Sequence, residues 1–303
     1  MNLYIDQNGW TVHIDNFDPR IVTQDELELL RTLPYTNVLV AIHDLPALTS
    51  EEYQEFCHKV FYQVQNDLSV HDRRFLPGHN REILQVTGRR NESGEIIGIF
   101  GMPEFLPWHC NQPGLPFDRR PDCLTLYSVE GCKGSVTAYT NSVLALKDLR
   151  VATDAPEGLL ENLDKLNVYY SYSIDLDEDT SNTNYNGPQG KHPLVIKNKA
   201  GIDGILFSNQ TTESFYIDDV KISKEIYQLW HNYLCKFLTQ KKYVYGHAWK
   251  NNEMTMNCQL LGQHARLPFT KIHERLLWRV MGVVEAFDGT SVNLGELPVY
   301  QRS

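Results

Sequence analysis

Residues 107–114, PWHCNQPG, put His109 and Asn111 two positions apart, directly after Trp108. The spacing raises the question of a metal ligand, with Asn111 standing where an aspartate is usual. A lone histidine near aromatic residues is more often structural, so the pair gains meaning only beside other segments. LLGQHARLPF (260–269) supplies His264, and HERLLWRVMG (273–282) carries Arg275 and Arg279 four apart. Two histidines distant in sequence plus one oxygen ligand can form a facial triad, which leaves open positions on Fe(II) for a cosubstrate and O2. A keto acid chelating that iron also needs a cation for its distal carboxylate. The planar fork of arginine suits this because it holds both oxygens.

The chain that must position these groups has 303 residues, enough to bury a sizeable core. Its 42% hydrophobic and 22% charged residues are ordinary for a soluble globular protein. A formal net charge of −10, with no cluster of Lys and Arg (Arg119-Arg120 and Lys241-Lys242 are isolated pairs), argues against nucleic acid. No apolar run reaches the roughly 18–20 residues that span a bilayer, and the N-terminal MNLYIDQNGW does not read as a signal peptide. Six scattered cysteines without a CxxC pair point to a reducing, cytoplasmic setting.

Short strands and helices alternate at first. GWTVHID (9–15) alternates like a strand, QDELELLRTL (24–33) has helical spacing, and NVLVAIHDL (37–45) reads as a buried strand. An amphipathic helix over 49–65 opens at an N-cap on Thr49 or Ser50. From about residue 82 strands dominate: REILQVTG, EIIGIFG, CLTLYSVEG, NVYYSYSI, HPLVIKN, GILFSN, YVYGHAW and EMTMNC. Their turn-rich separations predict an antiparallel sandwich or barrel. One helix interrupts them, with a face of Ile222, Ile226, Leu229, Trp230, Tyr233, Leu234, Phe237 and Leu238 set to cover a sheet. The acidic, Asn-rich stretch 175–190 has no apolar periodicity and reads as a lid or a disordered excursion.

Four segments, in order, resemble the taurine dioxygenase (TauD/TfdA) group of Fe(II)/2-oxoglutarate-dependent oxygenases. WHCN (108–111) is similar to the W-H-x-D that carries the first histidine and the carboxylate. GSVTAYTNS (134–142) is similar to a G-x-x-T segment whose threonine bonds 2-oxoglutarate, a role that falls on Thr137. HPLVIKNKAGIDGILFSN (192–209) resembles a substrate-lining region and brings in His192 and Asn209. NNEMTMNCQLLGQHARLP (251–268) resembles the stretch that ends in the distal histidine, His264, although NCQ (257–259) replaces the usual W-D-N. The 2-oxoglutarate arginine of the group lies about a dozen residues further, at Arg275, and Arg279 follows one turn's length later, facing the primary site. The resemblance covers roughly residues 80–285.

The resemblance implies a single domain built on a double-stranded β-helix (jelly roll), mainly β with flanking helices. Residues 1–80 would cover it and 81–303 would form the core, with 175–190 as the lid. It implies iron held by His109, Asn111 and His264, and 2-oxoglutarate held by Arg275 and Thr137. The keto acid and O2 would yield succinate, CO2 and an oxidised small molecule. Arg279, with His192 and Asn209, would face a substrate of anionic character. Asn111 leaves alternatives open. It can ligate weakly through its amide oxygen, or leave its position to water or an anion as in related halogenases. The site can also have become a binding site without redox chemistry, or a nearby Asp118 or Asp122 can swing in. Structural roles fit His43, His58, His71, His79 and His231, and Trp108 is expected beneath the metal site. Arg119 or Arg120 stands where it can reach an anionic substrate.

Overall fold

The computed structural model describes residues 1–65, 72–171, 189–284 and 296–301. Two sheets carry the candidate site. In the larger, strands follow in the order Asn2–Ile5, Thr11–Asp15, Leu39–Ile42, Met254–Cys258, Cys123–Glu130, Leu276–Val283 and Gln63–Val64. Leu84–Val86 also pairs with Leu276–Val283. In the smaller the order is Val244–Ala248, Val136–Thr140, His264–Arg266 and Leu106–His109. Every pairing in these two sheets is antiparallel except that of Thr11–Asp15 with Leu39–Ile42. Gly190–Pro193, Leu166–Tyr170, Thr212–Ile217 and Val220–Lys221 make another four-stranded sheet, and Val195–Lys197 pairs with Asp203–Ile205.

The central strands of the larger sheet are buried on both faces, which is why Leu39–Ile42 can be apolar throughout. Strands from the first 42 residues form one flank of that sheet, and Gln63–Val64 lies at the opposite edge. Helices Gln24–Asn37 and Ser50–Val60 start at Thr23 and Thr49, each closing a capping box with a glutamate three residues on. Such boxes satisfy orphan N–H groups of the first turn.

Three local expectations need correction. EIIGIFG makes only isolated bridges, Arg90 to Ile96 and Val86 to Ile99. Phe100 takes a positive φ of 55°, and a Cβ on Gly98 would stand 2.6 Å from the Gln85 carbonyl, so the run is not a regular strand. The Arg275–Arg279 spacing is not a helical turn. Leu276–Val283 is a strand, and four residues along a strand return to the same face. Helix Lys224–Leu238 does lie on a sheet, its Tyr227 hydroxyl donating to the Thr212 carbonyl at 2.7 Å. Its buried face is narrower than expected, since Ile226 and Leu229 are exposed.

Beside the candidate site, His43 Nδ1 lies 3.0 Å and His247 Nε2 3.2 Å from the two oxygens of Glu253, all three buried. Burial alone would raise the Glu253 carboxyl, but hydrogen bonds from His247 and His43 override it and hold the group well below the ordinary carboxylate range. A carboxylate lowered on folding stabilises fully above its unfolded value, near 4.5, and loses that contribution as pH falls through the folded value. Glu253→Gln is therefore expected to destabilise at pH 7 by about 3–5 kcal/mol and to flatten the loss of stability below pH about 4.5. Urea midpoints across pH test this. Parallel wild-type and variant curves would refute it.

Candidate active site

The cross-strand register explains how residues far apart in sequence meet. Directly opposed residues of an antiparallel pair share a face. One row across the smaller sheet reads His109, His264, Tyr139, Tyr245, and the next reads Leu106, Arg266, Thr137, His247. The facing sheet presents Arg279 opposite Leu126. Gly262, just before this segment, lets the chain come close, since a Cβ there would lie 2.0 Å from the Thr140 carbonyl oxygen. Side chains of both sheets and their adjoining loops line a cavity with about 380 Å3 of space, part of it open to solvent, formed by His109, Asn111, Thr137, His264, Arg266, Arg275, Arg279 and apolar walls including Phe100 and Leu126.

The His109 and His264 rings lie 4.3 Å apart between centroids. Both are buried. His109 Nδ1 donates to the Pro107 carbonyl at 2.7 Å, so the neutral ring keeps its lone pair on Nε2. That nitrogen is buried and, among the described residues, has no partner. Burial, reinforced by Arg279 and Arg266, pushes the His109 imidazole down to about 4. Burial also drives His264 well below the ordinary range, with His109 and Arg279 adding to the effect. Neutral imidazoles with inward lone pairs are the state a metal ligand needs.

Asn111 answers part of the question its spacing raises. Its Oδ1 accepts from Arg279 Nη1 at 2.9 Å, and its Nδ2 lies 3.3 Å from His264 Nε2. The arginine offers only donors, which fixes the amide oxygen toward it and the NH2 toward the imidazole lone pair. In this orientation the nitrogen, not the oxygen, faces the histidines. Among the described residues no third His, Cys, Asp or Glu completes a metal-binding group. His109 Nε2 is ready for an iron ion, while His264 Nε2 becomes available, and Asn111 joins through oxygen, only if the Asn111 amide turns over. Asp122 takes no part; it accepts from Tyr35 and pairs with Lys199 at 2.9 Å.

Arg275 is 2% exposed, and its Nε and Nη1 are buried without a partner among the described residues. Burial lowers its guanidinium to about 10, which leaves it charged at neutral pH. Among the described residues no acid lines the cavity. A buried cation without a counter-charge is costly, so this wall suits an anion. Thr137 Oγ1, also in the lining, accepts from the Trp249 indole N–H at 2.9 Å.

His192 and Asn209 stand outside this lining. His192 is set edge-on against Phe117, and the Asn209 N–H donates to Gln263 Oε1 at 2.9 Å. Arg120 is buried, its Nη2 donating to the carbonyls of Pro113 and Leu115. Trp108 is only partly buried and does not line the cavity. The stretch 175–188 lies outside the described residues, as does His71.

Some residues of the site escaped the sequence reading. Arg266 donates to the carbonyls of Phe100, Met102 and Glu104 and so clamps that loop to the cavity. Its two-residue offset from His264 on a strand was the available signal. Gln259 Oε1 accepts the Asn111 N–H at 2.9 Å, so the NCQ departure helps hold the segment that carries Asn111.

The family described as "Taurine catabolism dioxygenase TauD, TfdA family" matches residues 6–281. The chain belongs to that family. The TauD/TfdA assignment makes it an Fe(II)- and 2-oxoglutarate-dependent oxygenase. Solved structures share the fold at low identity. A taurine dioxygenase from Burkholderia xenovorans is 17% identical, with TM-score 0.68 over 95% of this chain and 94% of that one. AAD-2 in complex with Mn(II) and N-oxalylglycine is 14% identical, with TM-score 0.69 over 93% and 97%. PvcB, an Fe, alpha-ketoglutarate dependent oxygenase from an isonitrile synthetic pathway, is 16% identical, with TM-score 0.62 over 92% and 90%. No curated protein matches in sequence. Among the described residues no helix is long and apolar enough to cross a membrane.

Proposed function

We propose that His109 and His264 hold the iron, that Arg275 and Thr137 hold the distal carboxylate of 2-oxoglutarate, and that the reaction oxidises a C–H bond of a small anionic molecule. The observation that carries this reading is the pairing of two neutral, buried imidazoles with a buried arginine whose Nε and Nη1 have no partner, on one cavity lined by no acid among the described residues. Iron and 2-oxoglutarate, when bound, supply the activation of O2 and two of the electrons it needs. The chain's own part is to orient and to exclude water. The Pro107 carbonyl keeps His109 Nε2 free of a proton. The Arg275 N–H groups point charge at a carboxylate, and Phe100, Leu106 and Leu126 form a dry wall. A double-stranded β-helix within one domain is the architecture proposed for the two sheets that line the site, and the six free cysteines are in keeping with a proposed cytoplasmic setting.

Asn111 serves as the third, weak ligand once its amide turns, and that turn releases Arg279 Nη1 toward the substrate's anionic group. His192 and Asn209 would belong to an outer part of the substrate region. The bond from Arg279 to Asn111 Oδ1 also favours a second reading, in which the amide stays and an external anion such as chloride takes the third position.

Asn111→Asp separates the two. A carboxylate in the same place keeps Arg279 but sets an oxygen against the His264 lone pair, a repulsion that a cation between them removes. The variant should bind Fe(II) more tightly and show a larger metal-induced rise in melting temperature, with unchanged products and no chloride dependence. A chlorinated wild-type product that disappears in the variant would instead establish the second reading.

A further inference from the structure

We infer that Trp249 is a positioning residue for the cosubstrate: its indole N–H fixes the Thr137 hydroxyl so that the hydroxyl proton points into the cavity. The inference rests on the reading in which Thr137 and Arg275 meet the distal carboxylate of 2-oxoglutarate. An indole N–H only donates, so Thr137 Oγ1 must be the acceptor at 2.9 Å. A threonine hydroxyl has one proton and two lone pairs. With a lone pair engaged by the indole, and no protein acceptor for the proton among the described residues, the O–H is left for a ligand. Thr137 and the unpartnered Nε and Nη1 of Arg275 line the same cavity, so both offer donors to one anion.

Trp249 is held where it can do this. It is 2% exposed, and its backbone N–H donates to the Ser135 carbonyl at 2.9 Å. Its ring meets the edge of His247 at 4.4 Å between centroids, and His247 is braced in turn by Glu253. On its other side it belongs to the apolar cluster of Val86, Phe100, Leu106 and Leu126, which are themselves walls of the cavity. Thr137 faces His247 across the strand pair, so the brace and the hydroxyl share one row of the sheet. A core tryptophan needs only an acceptor for its N–H. Here the acceptor is the one hydroxyl assigned to the cosubstrate, and an otherwise freely turning donor becomes directed.

Trp249→Phe keeps a packed ring and removes the N–H. In iron-loaded protein without oxygen, the visible band that forms on adding 2-oxoglutarate gives its dissociation constant. That constant should rise about 5- to 30-fold, the equivalent of one hydrogen bond, with iron affinity and kcat at saturating cosubstrate little changed. Thr137→Val should weaken binding similarly, and the double variant should be no worse than Thr137→Val alone, because the two act through one group. A keto acid without the distal carboxylate, such as 2-oxobutyrate, should bind wild type and Trp249→Phe alike. Additive losses, or a Trp249→Phe protein that binds 2-oxoglutarate normally while Thr137→Val does not, would overturn the inference. If neither Thr137→Val nor Arg275→Ala affects 2-oxoglutarate, the underlying assignment fails and the inference falls with it. Should Trp249→Phe not fold, the benzothiophene isostere of tryptophan, in which sulfur replaces the N–H, makes the same comparison.

Discussion

His264→Ala should leave a folded protein that no longer retains Fe(II). The proposed ligand set is two imidazoles and an amide, with no carboxylate among the described residues to share the load, so on that reading removing one ring leaves a single strong ligand. Loss of an outer partner of a metal ligand already lowers affinity or activity about 10- to 100-fold, and loss of the ligand itself should exceed ~100-fold. The cost to the fold is much smaller. Asn111 Nδ2 loses its partner at 3.3 Å, worth about 1–3 kcal/mol for a buried polar group left unsatisfied. Circular dichroism should therefore match wild type while iron, measured after desalting, falls to background. Retention of one iron per chain in the variant would mean that the metal binds elsewhere.

Arg275→Ala should weaken 2-oxoglutarate binding by hundreds- to thousands-fold, since breaking a buried charge pair costs about 3–5 kcal/mol. The sign of its effect on stability should be the opposite. Without ligand the guanidinium is buried with Nε and Nη1 unpartnered among the described residues, so the ligand-free variant should be no less stable than wild type, and 2-oxoglutarate should no longer raise its melting temperature. Arg279→Ala makes the contrast. It removes the donor to Asn111 Oδ1 and should alter metal binding more than cosubstrate binding. If the Arg279 variant loses 2-oxoglutarate and the Arg275 variant keeps it, the two roles are exchanged.

How much of this could be read from the chain depended on whether the signal was local. The capping glutamates after Thr23 and Thr49, the apolar run of Leu39–Ile42 and the segments holding His109, Thr137, His264 and Arg275 are each visible within a dozen residues. Their meeting is not local. His109 and His264 pair because Leu106–His109 and His264–Arg266 are neighbouring strands, a register that no single segment encodes. The same register hid Arg266, Gln259 and Trp249, whose partners lie across strands or in distant loops. A spacing of four also fits both one helical turn and one strand face, and pairing with Cys123–Glu130 decided for the strand around Arg279. Asn111 was legible as a departure, but its bond to Arg279 was not, because that contact joins the two facing sheets.

The most direct test of the account is an anaerobic titration of the protein with Fe(II) and then 2-oxoglutarate, followed by admission of O2 and assay for succinate. The account predicts one iron per chain, a weak visible charge-transfer band on adding 2-oxoglutarate, and succinate after O2. The iron should be lost in His264→Ala, and the band at ordinary cosubstrate concentrations should be lost in Arg275→Ala. Wild-type protein that forms no band and releases no succinate with iron in excess would contradict it.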